Sequence, residues 1–136
     1  MGCDIITSSV TLPRHTYVVY RKNYVGRTLT LQNRMNGNIR LKLQAILEDN
    51  GDFTIYGCDR GPKSADGERF EYIWEFTVKA LRVPELVRLL GGTDGDDLLE
   101  IIERDWKPVQ GEGLEKKIRE TGIPYKVNVE RFETNK

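Results

Sequence analysis

The chain has 136 residues, 31% of them charged, with 21 basic and 21 acidic side chains and a formal net charge of zero. That length suits one domain, expected over 1–136 and able to bury about two-thirds of its unfolded surface without staples. The composition is that of a folded chain and not of a disordered one, and no apolar run approaches the ~20 residues that span a bilayer. The opening MGCDIITSSV has neither a basic nor an apolar leader segment, so it does not read as a signal peptide. Ile6 stands where a myristoylation site wants Ser or Thr. The two cysteines, Cys3 and Cys58, match no metal or redox spacing and read as free thiols of a cytoplasmic, reducing compartment.

Charge is unevenly distributed along the chain. Residues 1–47 carry seven basic groups against Asp4 alone, whereas residues 48–112 carry sixteen acids against eight bases. Such asymmetry marks an interaction surface unless folding lays the basic and acidic segments side by side.

In chain order, Thr16–Arg21 (TYVVYR) is aromatic and β-branched and reads as a first strand. Arg27–Leu31 alternates and reads as a second. Asn36-Gly37 is a turn signal, and Ile39–Glu48 alternates with period two, the pattern of a half-buried strand. Asp49-Asn50-Gly51-Asp52 turns the chain again, into Phe53–Cys58. A two-residue loop would set Leu47 opposite Thr54, Ala45 opposite Tyr56 and Leu43 opposite Cys58, while a bulge would shift that register. Both remain open. After the polar loop Asp59–Glu68 comes Arg69–Lys79, where Phe70, Tyr72, Trp74, Phe76 and Val78 share one face. Burying four aromatics would contribute roughly 15–25 kcal/mol before entropy, so the helices that follow are expected to cover them.

Pro84 and Glu85 suit the first turn of a helix that Gly91-Gly92 stops. Thr93 or Asp94 is then the expected cap of a second helix, with Asp96 and Asp97 in its first turn. Leu98, Leu99, Ile101, Ile102 and Trp106 form its apolar side, and Asp96, Glu100 and Glu103 an outward stripe at i, i+4, i+7. Leu114–Thr121 is a short helix ended by Gly122, and Tyr125–Phe132 a last strand. Strands segregated from helices imply an α+β fold: a mostly antiparallel sheet of about five to six strands with two to three helices on one face.

Little in the sequence points to catalysis. His15 is the only imidazole and has no nucleophile or carboxylate that spacing would place beside it. GGTDGDDLLE follows a helix, lacks a lysine and departs from the calcium-loop spacing, so it is neither a nucleotide cradle nor a calcium loop. No catalytic, metal or cofactor residue is assigned, and no cofactor is expected. Two binding surfaces compete. Asp96, Asp97, Glu100 and Glu103 would present a carboxylate stripe that steers a basic partner. Tyr17, Tyr20 and Tyr24 interleave with Arg21, Lys22 and Arg27, and Arg40 and Lys42 share a strand face, as in a sheet that stacks bases and neutralises phosphates. A pI of about 6.6 weighs against the second.

The C-terminal half, through FEYIWEFTV, VPELVRLLGGTDGDDLLEIIERDW and GLEKKIRETGIPY, resembles small bacterial immunity proteins of polymorphic and contact-dependent growth inhibition toxin systems. The shared features are a helix ending in LLG, an acidic D-D-L-L-E helix and a leucine-anchored helix running into G-I-P-Y. The resemblance implies a cytoplasmic, cofactor-free toxin inhibitor acting by protein–protein interaction. Its partner would be a cognate toxin domain, such as a nuclease with a basic groove, and Asp96, Asp97, Glu100 and Glu103 would be the contact residues. The basic N-terminal half shares no such likeness.

Overall fold

The computed structural model describes residues 8–12, 15–19, 26–62 and 68–134. Two strands, β1 (Ser8–Leu12) and β2 (His15–Val19), pair antiparallel as a separate two-stranded sheet, with Ser8 opposite Val19 and Leu12 opposite His15. The first expected strand thus lies outside the main sheet, paired with a segment that the alternation did not reveal.

The main sheet is a five-stranded antiparallel meander in which spatial order follows chain order: β3 (Gly26–Asn36), β4 (Ile39–Glu48), β5 (Phe53–Pro62), β6 (Arg69–Val78) and β7 (Lys126–Thr134). Among the described residues all the helical structure falls between β6 and β7, so the fold is α+β as the segregation implied. Asn36 pairs with Ile39 around Gly37-Asn38, and Gly37 (φ 62°) fills the position that a type II′ hairpin reserves for glycine.

The β4–β5 turn chooses between the two registers. Gly51 N donates to Glu48 O at 2.8 Å and Glu48 N to Asp52 O at 2.8 Å, closing a three-residue loop with Gly51 at φ 94°. Leu47 therefore faces Phe53, Ala45 faces Ile55 and Leu43 faces Gly57, one residue away from the two-residue register. The extra loop residue gathers the apolar residues of both strands on one face, because side-chain direction alternates strictly along a strand. A bulge between Thr30 and Gln32 in β3 has a similar effect locally. It lets Leu31 sink into the core and turns Gln32 toward the helices, where Gln32 Nε2 donates to Gln110 O at 2.9 Å.

Three helices lie on that face: α1 (Val83–Leu89), α2 (Leu98–Asp105) and α3 (Leu114–Glu120). Their Leu86, Val87, Leu98, Leu99, Ile101, Ile102, Leu114 and Ile118 pack with Ala45, Phe53, Ile55, Phe76 and Val78 in one buried cluster. The aromatic row of β6 is covered at one end only. Phe76 and Val78 are fully buried, but Phe70, Tyr72 and Trp74 are half-buried. The Trp74 indole lies over Gly57, where any Cβ would occupy the ring, and borders an open pocket with Leu43, Ile55 and Leu114 at the start of α3. The face away from the helices holds a smaller cluster of Ile46, Tyr56, Cys58 and Ile73, with Phe132 against it.

Cys58 differs from the free thiol expected: it is disulfide-bonded. Sequence spacing is blind to this because a disulfide requires only that two Cα atoms meet within about 7 Å in space. The other cysteine of the chain, Cys3, lies outside the described residues. Structural disulfides persist in oxidising compartments and are rare in a reducing cytosol, which counts against the cytoplasmic expectation. None of the described helices is long and apolar enough to cross a membrane.

Candidate functional site

The α1–α2 connection is an exposed segment held by its own hydrogen bonds. Pro84 and Glu85 occupy the first turn of α1, as their residue types favour. The helix ends in a Schellman motif: Gly91 N donates to Arg88 O at 3.1 Å and Gly92 N to Val87 O at 2.9 Å, with Gly91 at φ 96°. Thr93 to Asp96 then forms a closed turn. Asp96 N donates to Thr93 O at 3.0 Å, and Asp96 Oδ2 accepts from Thr93 N at 2.8 Å and from Thr93 Oγ1 at 3.2 Å.

The cap of α2 is neither Thr93 nor Asp94 but Asp97, whose Oδ1 accepts from Leu99 N at 3.1 Å. The helix begins later than its charge pattern suggested, because the Thr93–Asp96 turn satisfies its own donors. Asp97 is also an ion-pair partner of Arg27 from β3, and its side chain is only 24% exposed. It is therefore a structural residue, while Asp96, Glu100 and Glu103 remain exposed. Glu103 Oε2 lies 4.0 Å from Lys107 Nζ, a loose pair one turn on. Glu100 makes no ion pair among the described residues. Arg104 grips Asp105 with two 2.9 Å hydrogen bonds, which hold that carboxyl below the ordinary carboxylate range and raise the guanidinium. Of the four contact residues expected, three stay available and Asp97 is turned to the fold.

The structure adds what the charge pattern did not show. A groove of about 330 Å³ runs beside the acidic turn, lined by Val83, Pro84, Val87, Arg88, Asp94, Gly95 and Asp96. Arg88 Nη1 and Asp94 Oδ1 pair across its rim at 3.0 Å. An apolar floor of Val83, Pro84 and Val87, bounded by Asp96 and by the Arg88–Asp94 pair, suits a long basic side chain. The aliphatic stem of a lysine or arginine would lie on the floor and its head would meet the rim. No sequence signal identifies Val83 and Asp94 as neighbours, since the contact exists only once the Gly91-Gly92 stop folds the loop back onto α1.

The rival basic surface is partly dismantled. Arg27 is engaged by Asp97, and Arg40 Nη1 donates to Asn33 Oδ1 at 2.9 Å. Arg40 and Lys42 do share the sheet face away from the helices, opposite Arg60 and Cys58 respectively. His15 and Tyr17 fall in β2. Tyr20, Arg21, Lys22 and Tyr24 lie outside the described residues. Among the described residues, no group of His, Cys, Asp or Glu is arranged to hold a metal ion.

Asp59 is another titratable group whose setting shifts it. It sits on the helical face between Leu41 and Tyr72, and partial burial raises its carboxyl above the ordinary range. Set against known protein families, curated proteins and solved structures, the chain matches none.

Proposed function

We propose that this chain is a binding protein that neutralises a basic partner protein stoichiometrically, in the manner of a bacterial toxin immunity protein. The observation that carries the reading is the groove beside the α1–α2 turn, whose apolar floor and Asp94–Asp96 rim continue into exposed Glu100 and Glu103. Such a surface selects a lysine- or arginine-rich face and speeds its encounter more than it adds bulk affinity. The likeness of the C-terminal half to immunity proteins points the same way and suggests a toxin domain, such as a nuclease, as the partner. Arg27 is spent on Asp97, which weakens the nucleic-acid alternative built on Arg21, Lys22, Arg27 and Tyr24.

The test begins with the partner recovered by affinity capture from the source lysate and purified. The double variant Glu100→Lys/Glu103→Lys is expected to slow association roughly tenfold at low salt and to flatten its salt dependence, with dissociation little changed. An unchanged on-rate rejects the acidic face as the docking surface. Asp97→Ala is the stability control: loss of a cap costs about 1 kcal/mol, read as a lower unfolding midpoint. In its cytoplasmic form the proposal requires the Cys58 disulfide to yield to the reducing pool, and thiol counting on protein isolated under alkylating conditions tests that separately.

A further inference from the structure

The outer edge of β7 has no neighbouring strand among those described, and two exposed valines, Val127 and Val129, stand on it among charged residues. Val127 and Val129 are 40% and 48% exposed, and Tyr125, the residue just before the strand, is 42% exposed. An uncovered edge offers a row of backbone donors and acceptors to any strand that can pair with it, and proteins ordinarily blunt such edges with charge. In one antiparallel register the charges on β7 would complement those of a second copy.

We propose that β7 is a homodimerisation edge, joining two copies across a two-fold axis at Asn128 into one ten-stranded antiparallel sheet. An axis perpendicular to the sheet keeps the helical faces on the same side, so residues of like parity must oppose one another. Centred on Asn128, the register sets Val127 against Val129 of the second copy on the helical face, twice over. On the opposite face it sets Lys126 against Glu130 of the second copy, again twice. Extended by one residue, it brings Tyr125 opposite Arg131 of the second copy, an aromatic ring against a guanidinium. The neighbouring registers lose this match. An axis at Val129 opposes Val127 to Arg131, an axis at Val127 leaves Lys126 opposite Asn128, and an axis at Glu130 opposes two carboxylates. Within one copy Arg119 Nη1 donates to the Tyr125 hydroxyl at 3.0 Å, its ring stacks on Phe76 with centroids 4.7 Å apart, and Arg131 pairs with Glu133, so the Val127–Val129 and Lys126–Glu130 contacts carry the register.

The experiment is sedimentation equilibrium of the full chain from about 1 µM to about 1 mM, with two charge variants made separately and then mixed. Lys126→Glu and Glu130→Lys each oppose like charges twice in their own homodimer, so each is expected to dimerise at least roughly tenfold more weakly than wild type. The mixture of the two restores both ion pairs and is expected to form a heterodimer at wild-type affinity. Hydrogen exchange on the wild-type protein supplies a readout independent of any variant: β7 amides should gain protection as concentration rises. A wild-type chain that stays monomeric throughout the range overturns the proposal, as does a dimer indifferent to the substitutions or to mixing. Neither result bears on the acidic groove, whose partner is a different molecule.

Discussion

The two faces of the sheet use the same strands and are held by different forces. On the helical face, sixteen buried apolar residues form one continuous cluster between strands and helices. On the opposite face the buried apolar cluster shrinks to Ile46, Tyr56, Cys58 and Ile73, and Gln44, Thr54 and Glu71 are buried among the strands there. Thr54 finds partners across the ladder, whereas Gln44 is bonded through its Nε2 alone and its Oε1 is buried without a partner among the described residues. Thr54 Oγ1 donates to Glu48 Oε2 at 2.9 Å and lies 3.1 Å from Thr77 Oγ1, while Gln44 Nε2 reaches Thr30 Oγ1 at 3.5 Å. The helical face is fixed by how much apolar surface it removes from water. The opposite face is fixed by which polar group meets which.

That contrast is broken most directly at Phe76, which is fully buried where β6 meets the helices. Phe76→Ala is expected to cost about 3–5 kcal/mol, the range for deleting a buried aromatic, measured by denaturant unfolding. A cost below about 1 kcal/mol would mean that the helical layer is not packed on the sheet as described. Gly57→Ala probes the same face at Trp74. The added methyl must displace the Trp74 indole, at an expected cost of about 1–3 kcal/mol with a changed tryptophan fluorescence. A silent substitution would show that Trp74 does not lie on the strand.

Thr54→Ala tests the opposite face. It removes no large apolar group, yet it deprives Glu48 and Thr77 of a buried partner, with an expected cost of about 1 kcal/mol. Equality with Phe76→Ala would erase the distinction between the faces. The smallest effect is electrostatic. Because partial burial raises the Asp59 carboxyl, the folded chain holds that proton to higher pH than the unfolded chain does. Stability from this group therefore falls as pH climbs from the ordinary carboxylate range through the raised value. Asp59→Asn should leave a flatter profile over that window. An identical profile would place the charge of Asp59 fully in water.

Local patterns carried most of the elements. Period-two alternation marked β4 and β6, glycine and proline punctuation marked α1 and α3, and the apolar side of α2 is buried at Leu98, Leu99, Ile101 and Ile102 as its spacing required. The acidic segment was legible as charge and illegible as a site. Charge counting treats Asp96, Asp97, Glu100 and Glu103 alike, whereas folding spends Asp97 on Leu99 N and on Arg27, seventy residues earlier in the chain. The Cys58 disulfide and the groove under Asp94 were invisible for the same reason.

The sequence by itself determined the α+β class, the hairpin turns and the apolar stripe of each helix, since backbone geometry and residue spacing settle these within a few neighbours. Tertiary structure decided the β4–β5 register, the half-covered aromatic row of β6, the role of Asp97 and the open edge at β7. Each of those depends on distances between segments far apart in the chain, and one residue in a loop is enough to exchange the two faces of a strand.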